Sequence, residues 1–522
     1  MKTRHIATLL LLAAGTVSCK DWLDVYPRSE ITSNKVFENE DGFYSALAGL
    51  YIKMADDKLY GFDLTCGYLD MMGGAVYMGS QGMLTYHANT FYNDPTYASA
   101  VAALQFPAFN YTRGGIRTEK TDATLETIWT KMYNTITNAN LLLDELGKAD
   151  GGMFENGVKE LLTGEALAVR AYLHLDLVRL FQPPYLSEQG RTAKRIPYME
   201  SLDALKFIPS STTDEILDKV DADLAHAAEI MKENDPVSST KRYHTLMFTT
   251  DRQYKLNYYA VKLLQARSFL YRGKDKEAYA AAKEVIDNAA GANIHFITEA
   301  ERNRVDSYGT PVDRSCPMEN LFAVLSDDLD ENMRDVLSMT GKRLGMFGRF
   351  MSNKWLSATS NLTPESFFSA GSDIRINLWK RSSSPAGMVG KYIRESSAAE
   401  DVALYPKQAV TLLKLGEAYL IAAEAAITAV NPGEGLSILR QLQTARQGGI
   451  YDKTDGLKEE ILLEYRRETL GEGQLFYAYK RRNEPRLTTL FQTPDMTYYF
   501  TMDDNKYTPD IPDKEYNAGR TY

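Results

Sequence analysis

Residues 157–181 repeat apolar side chains at spacings of three and four, which is the period of one face of an α-helix. The positions that carry this repeat are Leu162, Ala166, Val169, Leu173, Leu177 and Leu180. Pro183 and Pro184 follow, and proline cannot continue a helix because it lacks the backbone N–H. A helix of this length needs other helices to cover its apolar face, so the segment predicts a largely helical chain.

Two later stretches, 254–288 and 411–446, have the pattern of paired antiparallel helices. In the first, Ala278 follows Ala266 by twelve residues, and in the second Gly435 follows Ala423 by the same offset. Small residues at this offset allow two helices to approach closely, and the pattern resembles the tetratricopeptide repeat.

We therefore predict a mainly α fold in which tetratricopeptide-like helix pairs pack against a loop-rich, irregular part. The helical side is predicted for 39–55, 125–181, 211–289 and 408–483 of a single domain that spans 19–522. The loop-rich side is predicted for 57–118 and 293–405, which are rich in small and polar residues and have no clear helical period. Loop regions of this length inside a globular chain are usually functional.

The N-terminus has the three parts of a secretory signal peptide, which we assign to residues 1–18. Lys2 and Arg4 form a basic start, residues 6–14 are apolar apart from one threonine, and small residues follow. Cys19 comes directly after them, as in a bacterial lipobox, where the cysteine is acylated and becomes the new N-terminus. We predict lipidation of Cys19; an ordinary cleaved signal with an incidental cysteine is the alternative.

Composition and motifs argue against several classes of function. The chain has 59 Lys and Arg against 69 Asp and Glu, whereas a polyanion-binding protein is usually basic, so no nucleic-acid partner is predicted. No nucleotide loop, nucleophile elbow or histidine pair with metal-ligand spacing is present, so we predict no cofactor, metal or catalytic residue. A Cys66–Cys316 bridge stays open, as does calcium binding by the acidic cluster at Asp327, Asp328, Asp330 and Glu331.

The loop-rich segments offer a binding chemistry, because many of their aromatic residues are flanked by Gly or Asn. A flat aromatic face packs against the C–H face of a sugar ring, while polar side chains bind its hydroxyls. We therefore predict a ligand site built from 60–97 and 345–380, although each aromatic residue could instead pack in the core. The residues selected for stacking and for hydroxyl binding are Tyr68, Tyr77, Tyr86, Trp355, Asn89 and Arg349.

Taken in order, short motifs along the whole chain resemble those of the SusD/RagB-like outer-membrane nutrient-binding lipoproteins of Bacteroidetes. The first half supplies Cys19, Trp22, Leu23, Pro27, Phe37, Gly49-Leu50-Tyr51, Trp129-x-x-x-Tyr133-x-x-Ile136, Asn138, Asn140, Gly164-Glu165-Ala166, Arg170-Ala171-Tyr172 and Ile196-Pro197-Tyr198. The second half supplies Asp373, Arg375, Glu417-Ala418-Tyr419-Leu420, Ala423-Glu424-Ala425, Arg467-Glu468-x-x-Gly471-Glu472-Gly473, Tyr507 and Ile511-Pro512-x-x-Glu515. Lys414 stands where the family commonly has arginine.

The resemblance implies a surface-exposed lipoprotein without enzymatic activity. Such a protein captures an oligosaccharide, or less often a peptide, and pairs with a SusC-like TonB-dependent transporter in the outer membrane. Two alternatives remain open at this point: a surface lipoprotein glycosidase, and a helical-repeat scaffold of an envelope complex. The motif residues are interpreted as structural, with a buried charge at Glu165 or Arg170 needing a partner. The full structural set is Glu165, Arg170, Glu417, Arg467, Glu468 and Glu472.

Overall fold

The computed structural model describes a chain that is mainly helical. The described residues are 35–73, 119–202, 207–305, 312–327, 329, 368, 370–379, 391–392, 405–406, 408–493 and 496–517. Their helices are α1 (Glu40–Met54), α2 (Tyr68–Met72), α3 (Glu119–Lys148), α4 (Val158–Phe181), α5 (Thr213–Met231), α6 (Tyr258–Tyr271), α7 (Asp275–Asn288), α8 (Glu299–Arg302), α9 (Ile374–Trp379), α10 (Leu415–Ala429), α11 (Pro432–Ala445), α12 (Leu457–Glu468), α13 (Gln474–Arg481) and α14 (Asp513–Asn517). Their strands are β1 (Asn320–Leu325), β2 (Ala409–Lys414), β3 (Arg486–Thr493) and β4 (Met496–Thr501).

The long helix α4 is the centre of the fold. Almost all of its side chains are buried, including those between the positions that form the apolar repeat. Helices α3 and α5 pack against it from either side, and α1 and α13 also contact it. A helix that is covered on nearly every face belongs to the interior, so the predicted apolar face is wider than the sequence repeat suggests.

The predicted helix pairs are confirmed as α6 with α7 and α10 with α11. Helix α5 packs on α6, α7 packs on α10, and α12 packs on α10, so successive pairs form a continuous layer. At Gly435 an added Cβ would lie 2.6 Å from the carbonyl oxygen of Ala423, which leaves no room for a side chain. The small residues at the twelve-residue offset therefore do allow the two helices to approach closely.

Strand β2 corrects one sequence prediction, because the helical segment was expected to begin at 408. Residues Ala409–Lys414 are instead a strand that pairs antiparallel with β1, and every one of its residues is buried. A short apolar run that is buried on both faces has no alternation, so periodicity cannot distinguish it from a buried helix. Strands β3 and β4 form a second antiparallel pair near the C-terminus.

No helix within the described ranges is long and apolar enough to cross a membrane.

Candidate functional site

Glu165 is almost completely buried on α4 and has two partners from distant parts of the chain. It accepts hydrogen bonds from Arg252 Nη1 at 2.6 Å and from the Tyr51 hydroxyl at 2.5 Å. The same hydroxyl accepts a bond from the backbone N–H of Leu256 at 3.0 Å. Burial, followed by the charge of Glu165, raises the pKa of the Tyr51 phenol, so it stays protonated as a donor. Glu165 thus connects α1, α4 and the chain entering α6.

Arg170, which is also on α4, connects two further motif positions, Asn140 directly and Tyr198 through Asp223. Its guanidinium donates to both carboxylate oxygens of Asp223 at 2.7 Å and to the side-chain oxygen of Asn140 at 3.0 Å. The Tyr198 hydroxyl donates to the same Asp223 carboxylate at 2.5 Å. Bidentate arginine–carboxylate pairs fix geometry as well as charge, so Arg170 holds α3, α4 and α5 in register.

Glu417 at the start of α10 forms the corresponding pair with α6. Arg267 donates to its two carboxylate oxygens at 2.7 and 2.6 Å, and also to the Leu412 carbonyl at 2.9 Å. Trp129 on α3 meets the last motif residue, since its indole N–H donates to Glu515 at 3.1 Å. Motif residues that are far apart in sequence are therefore joined in space.

The end of α12 and the turn after it carry a larger ionic assembly, which we call the junction cluster: Glu464, Glu468 and Glu472 with Arg375, Lys391, Lys414 and Arg446. Glu468 accepts from Arg375 at 2.9 Å and from Arg446 Nε at 3.0 Å, and Lys414 Nζ lies 3.2 Å from it. Burial opposes its charge, but these three cations hold the pKa of Glu468 well below its usual range.

The other two acids of the junction cluster share the same cations. Glu472 lies 2.5 Å from Lys391 Nζ and 2.8 Å from Lys414 Nζ. Glu464 lies 2.7 Å from Arg375 and 2.8 Å from Arg467, which also reaches Glu460 at 2.9 Å. The sequence placed Glu468 and Glu472 next to Arg466 and Arg467, but their ionic partners come from other elements. Arg467 itself pairs with acids one and two turns earlier on α12.

Gly471-Glu472-Gly473 forms a backbone cradle for a carboxylate. Both glycines have positive φ, +78° and +68°, which side chains other than glycine adopt only with strain. Their N–H groups donate to the two oxygens of Asp70 at 2.6 and 2.9 Å. Burial raises the pKa of Asp70 to about 7, although both N–H groups and Lys391 act in the opposite direction. This is the anion-binding geometry of a nest, here occupied by a side chain of the same protein.

Two of the openings formed by described residues are a surface cleft and a small internal cavity. A surface cleft of about 300 Å³ lies between the turn after α4 and the stretch before α14. Its lining residues are Pro183, Glu188, Gln189, Asp504, Asn505 and Thr508. A buried cavity of about 30 Å³ lies among α4, α6, α10 and α13, next to Arg267 and Glu417. The part of the chain that the structure describes holds no group of three His, Cys, Asp or Glu side chains that could bind a metal ion.

The predicted ligand residues are only partly within the described ranges. Tyr68 begins α2 and is 3% exposed, so it packs in the core and does not offer a stacking face. Cys66 and Cys316 are both buried free thiols, and the bridge left open by the sequence is not formed. The predicted residues outside the described ranges are Cys19, Tyr77, Tyr86, Asn89, Arg349 and Trp355. The acidic cluster around Asp328 also lies mostly outside these ranges.

Sequence reasoning missed Asp70, Lys391 and Arg446. Asp70 and Lys391 lie in regions whose sequence has no helical periodicity, and Arg446 is the residue directly after α11. The sequence contains a signal only for the contact with Asp70. The glycines on either side of Glu472 suggest a turn with exposed N–H groups, which can bind a carboxylate. The sequence does not show which carboxylate such a turn binds.

The fold places this chain in the class of helical-repeat proteins. Its motif residues meet in buried ion pairs. Residues 21–245 match the model of the SusD-like family, which is described as starch-binding and associating with the outer membrane. The match bears out the predicted SusD/RagB-like family for residues 21–245, which are SusD-like. No curated protein sequence matches it.

Solved structures match the fold over most of the chain. A candidate sugar-binding protein from Bacteroides vulgatus is 22% identical, with a TM-score of 0.64, and the match covers 92% of this chain and 96% of that one. A SusD-like carbohydrate-binding protein from the same species is 18% identical, with a TM-score of 0.60 and the same coverages. A SusD superfamily protein from Bacteroides thetaiotaomicron is 19% identical, with a TM-score of 0.62 and coverages of 92% and 98%.

Proposed function

We propose that this chain is a cell-surface nutrient-binding lipoprotein that captures an oligosaccharide and delivers it to a SusC-like TonB-dependent transporter. The observation that carries the proposal is the match of residues 21–245 to a family described as starch-binding and associating with the outer membrane. The fold shared with a SusD-like carbohydrate-binding protein supports it.

The environment of the motif carboxylates supports binding rather than hydrolysis. A glycosidase needs two carboxyl groups on either side of the scissile bond, with room between them for the substrate. Glu165, Glu417 and Glu468 are each less than 5% exposed and are occupied by arginine or lysine. Acids held in this way stabilise helix contacts and have no access to a sugar.

We place the ligand on the loop-rich side. Trp355, Tyr77 and Tyr86 are the proposed stacking residues, with Asn89 and Arg349 as hydroxyl partners. Tyr68 is removed from this set because its ring is buried. The support is compositional: aromatic faces next to Gly and Asn are what a sugar ring needs.

A binding screen on purified full-length protein tests this function. The panel begins with maltoheptaose and amylopectin, continues with other neutral and acidic glycans, and includes peptides, with calorimetry on every hit. We expect saturable binding of an oligosaccharide and no change in its chain length after prolonged incubation. Release of shorter sugars would identify a glycosidase. Binding of peptides alone would show that the ligand is a peptide and not an oligosaccharide.

The anchor is tested separately by the Cys19→Ala variant. Two or three acyl chains at about 0.8 kcal/mol per buried CH₂ hold a protein almost permanently, so their loss should move it to the soluble fraction. The experiment is done in cells that lack the neighbouring transporter, which could otherwise retain it. A variant that still sediments with membranes would show that Cys19 is not the tether.

A further inference from the structure

Three short stretches outside the helical repeats contact the same ten residues of the C-terminal region, 464–473. Asp70 is bound by the N–H groups of Gly471 and Gly473, as described above. Arg375 reaches Glu464 at 2.7 Å and Glu468 at 2.9 Å. Lys391 donates to Glu472 at 2.5 Å and to the Leu470 carbonyl at 2.8 Å. The end of α12 and the turn after it therefore receive a side chain from each of the three stretches.

These contacts are specific in their chemistry. Asp70 is an acid bound by backbone N–H groups, whereas Arg375 and Lys391 are bases bound by carboxylates and a carbonyl. All three side chains are less than 5% exposed, so none can exchange its partner for water without local opening. Burial also lowers the pKa of Lys391, and the charge of Glu472 opposes this effect.

Two of the three anchored residues lie within the segments to which we assign the ligand. Asp70 is in the 60–97 segment, Arg375 is in the 345–380 segment, and Lys391 follows the second segment in sequence. We propose that Asp70, Arg375 and Lys391 are positioning residues, which attach the loop-rich side to the end of α12 and the turn after it and so set its affinity for the oligosaccharide. The proposal rests on the function proposed above. The common attachment site of the three stretches is then the motif Arg467-Glu468-x-x-Gly471-Glu472-Gly473.

The geometry gives the attachment site two separate means of holding the chain. The positive φ of Gly471 and Gly473 fixes the direction of two N–H groups, and an added Cβ at Gly473 would lie 2.7 Å from the Leu64 carbonyl oxygen. Glu472 between them points its carboxylate at Lys391 and Lys414. The acid-binding and base-binding halves therefore belong to a single turn, and displacement of one anchor changes the environment of the next.

The test uses full-length protein with Lys391→Met, which removes one anchor while leaving Glu472 paired with Lys414. Arg481→Met is the matched control, because Arg481 pairs with Glu424 between α10 and α13, outside the attachment site. Hydrogen exchange of backbone amides is measured together with the affinity for maltoheptaose. Both are measured at a temperature where every variant is folded. Asp70→Asn serves as a second variant in case Lys391→Met does not fold.

We expect Lys391→Met to raise exchange by about tenfold in residues 68–73 as well as at 391–392, because local opening exposes amides that share the attachment site. Loss of preorganisation should weaken maltoheptaose binding by about tenfold, while Arg481→Met changes exchange in α10 and α13 and binding by less than about twofold. Unchanged exchange at 68–73 in both anchor variants would overturn the proposal, as would equal affinity losses in anchor and control variants. If the wild-type protein does not bind maltoheptaose, the choice of ligand fails and the exchange result alone decides the positioning role.

Discussion

Buried charge is held in two different ways on the helical side and in the junction cluster. On the helical side, two buried pairs each consist of one base and one acid: Arg267 with Glu417 and Arg481 with Glu424, each through two hydrogen bonds of 2.6 to 2.7 Å. In the junction cluster, Glu468 has three cationic partners, from α9, the end of α11 and the end of β2. A pair joins two helices, whereas a shared acid joins several segments at one point.

This difference determines which substitutions each region tolerates without loss of stability. A buried pair can be replaced as a unit by apolar side chains of similar volume, often at little cost in stability. A shared acid has no single partner to replace with it. Removing Glu468 leaves Arg375 with Glu464, Arg446 with Glu319 and Lys414 with Glu472, but it takes away the one carboxylate that joins all three cations. Gly416 shows how tightly Glu468 is enclosed, since an added Cβ there would meet its carboxylate at 2.2 Å.

The largest effect is expected for Glu468→Gln. The amide cannot compensate the charges of Arg375, Arg446 and Lys414, and breaking a buried ion pair costs roughly 3–5 kcal/mol. Thermal and denaturant unfolding should show this loss, while Glu459→Gln at an exposed position of the same helix should change stability by less than about 0.5 kcal/mol. Equal melting temperatures for the two variants would show that the cluster does not stabilise the fold.

Glu417→Gln alone should cost a similar amount, about 3 kcal/mol or more, because it leaves Arg267 buried without its carboxylate. Adding Arg267→Met should recover most of that loss, since an apolar pair removes both charges. A double-mutant cycle of unfolding free energies measures the recovery. If adding Arg375→Met to Glu468→Gln recovers as much unfolding free energy, the pair and the junction cluster do not differ in the way described.

The two regions should also respond to different ranges of pH. Burial lowers the pKa of His174 on α4 to about 3; the hydrogen bond to the Arg170 carbonyl opposes this effect, and the charges of Arg170 and Lys219 add to it. His174 accepts from the Met199 N–H and is neutral in the fold, so protonation of the unfolded chain reduces stability as pH falls below about 6.5.

Between pH 6.5 and 4.5 this histidine should contribute a loss of about 2–3 kcal/mol, which His174→Gln should remove. Glu468, whose pKa is lowered, contributes stability that is complete above about pH 4.5 and is lost as pH falls through its lower folded value. Melting temperatures across this range separate the two. The raised pKa of Asp70 adds stability as pH falls through the same interval, so the wild type is compared with His174→Gln. A stability difference between the two that stays constant from pH 6.5 to 4.5 would contradict the neutral buried histidine.

A smaller effect is expected from Gly435→Ala, which tests the helix pairs without changing a charge. The new Cβ would press on the Ala423 carbonyl in α10, and overpacking of this kind typically costs 1–3 kcal/mol. Gly147→Ala near the end of α3 is the control, because nothing lies within 4 Å of its Cβ position. There alanine should stabilise by about 0.5–1 kcal/mol through its helix propensity.

The helical side could be predicted from the sequence because its signals are local. The spacing of apolar residues along α4, the prolines after it, and the offset between Ala423 and Gly435 each reflect contacts within a few turns or between neighbouring helices. Strand β2 was missed because burial on both faces removes the alternation that marks a strand. The stretches that carry Asp70 and Lys391 have no period to indicate their place in the fold.

The ionic partners could not be predicted, because they are separated by long stretches of chain. Among the described residues, the cations that pair with Glu468 and Glu472 precede them in sequence, at positions 375, 391, 414 and 446. Charge at a motif position indicates that a partner exists, since an isolated buried charge is costly. Only the packing of the helices identifies it.

The central claim is that the motif residues hold the fold while the loop-rich side binds the ligand. Melting and oligosaccharide affinity, measured together on Glu417→Gln and Trp355→Ala, test it most directly. We expect Glu417→Gln to lose stability and keep its affinity, and Trp355→Ala to keep its melting temperature and lose about 1–3 kcal/mol of binding, as for other aromatic stacking contacts. Lost binding with unchanged melting in Glu417→Gln, or destabilisation with full affinity in Trp355→Ala, would contradict the claim.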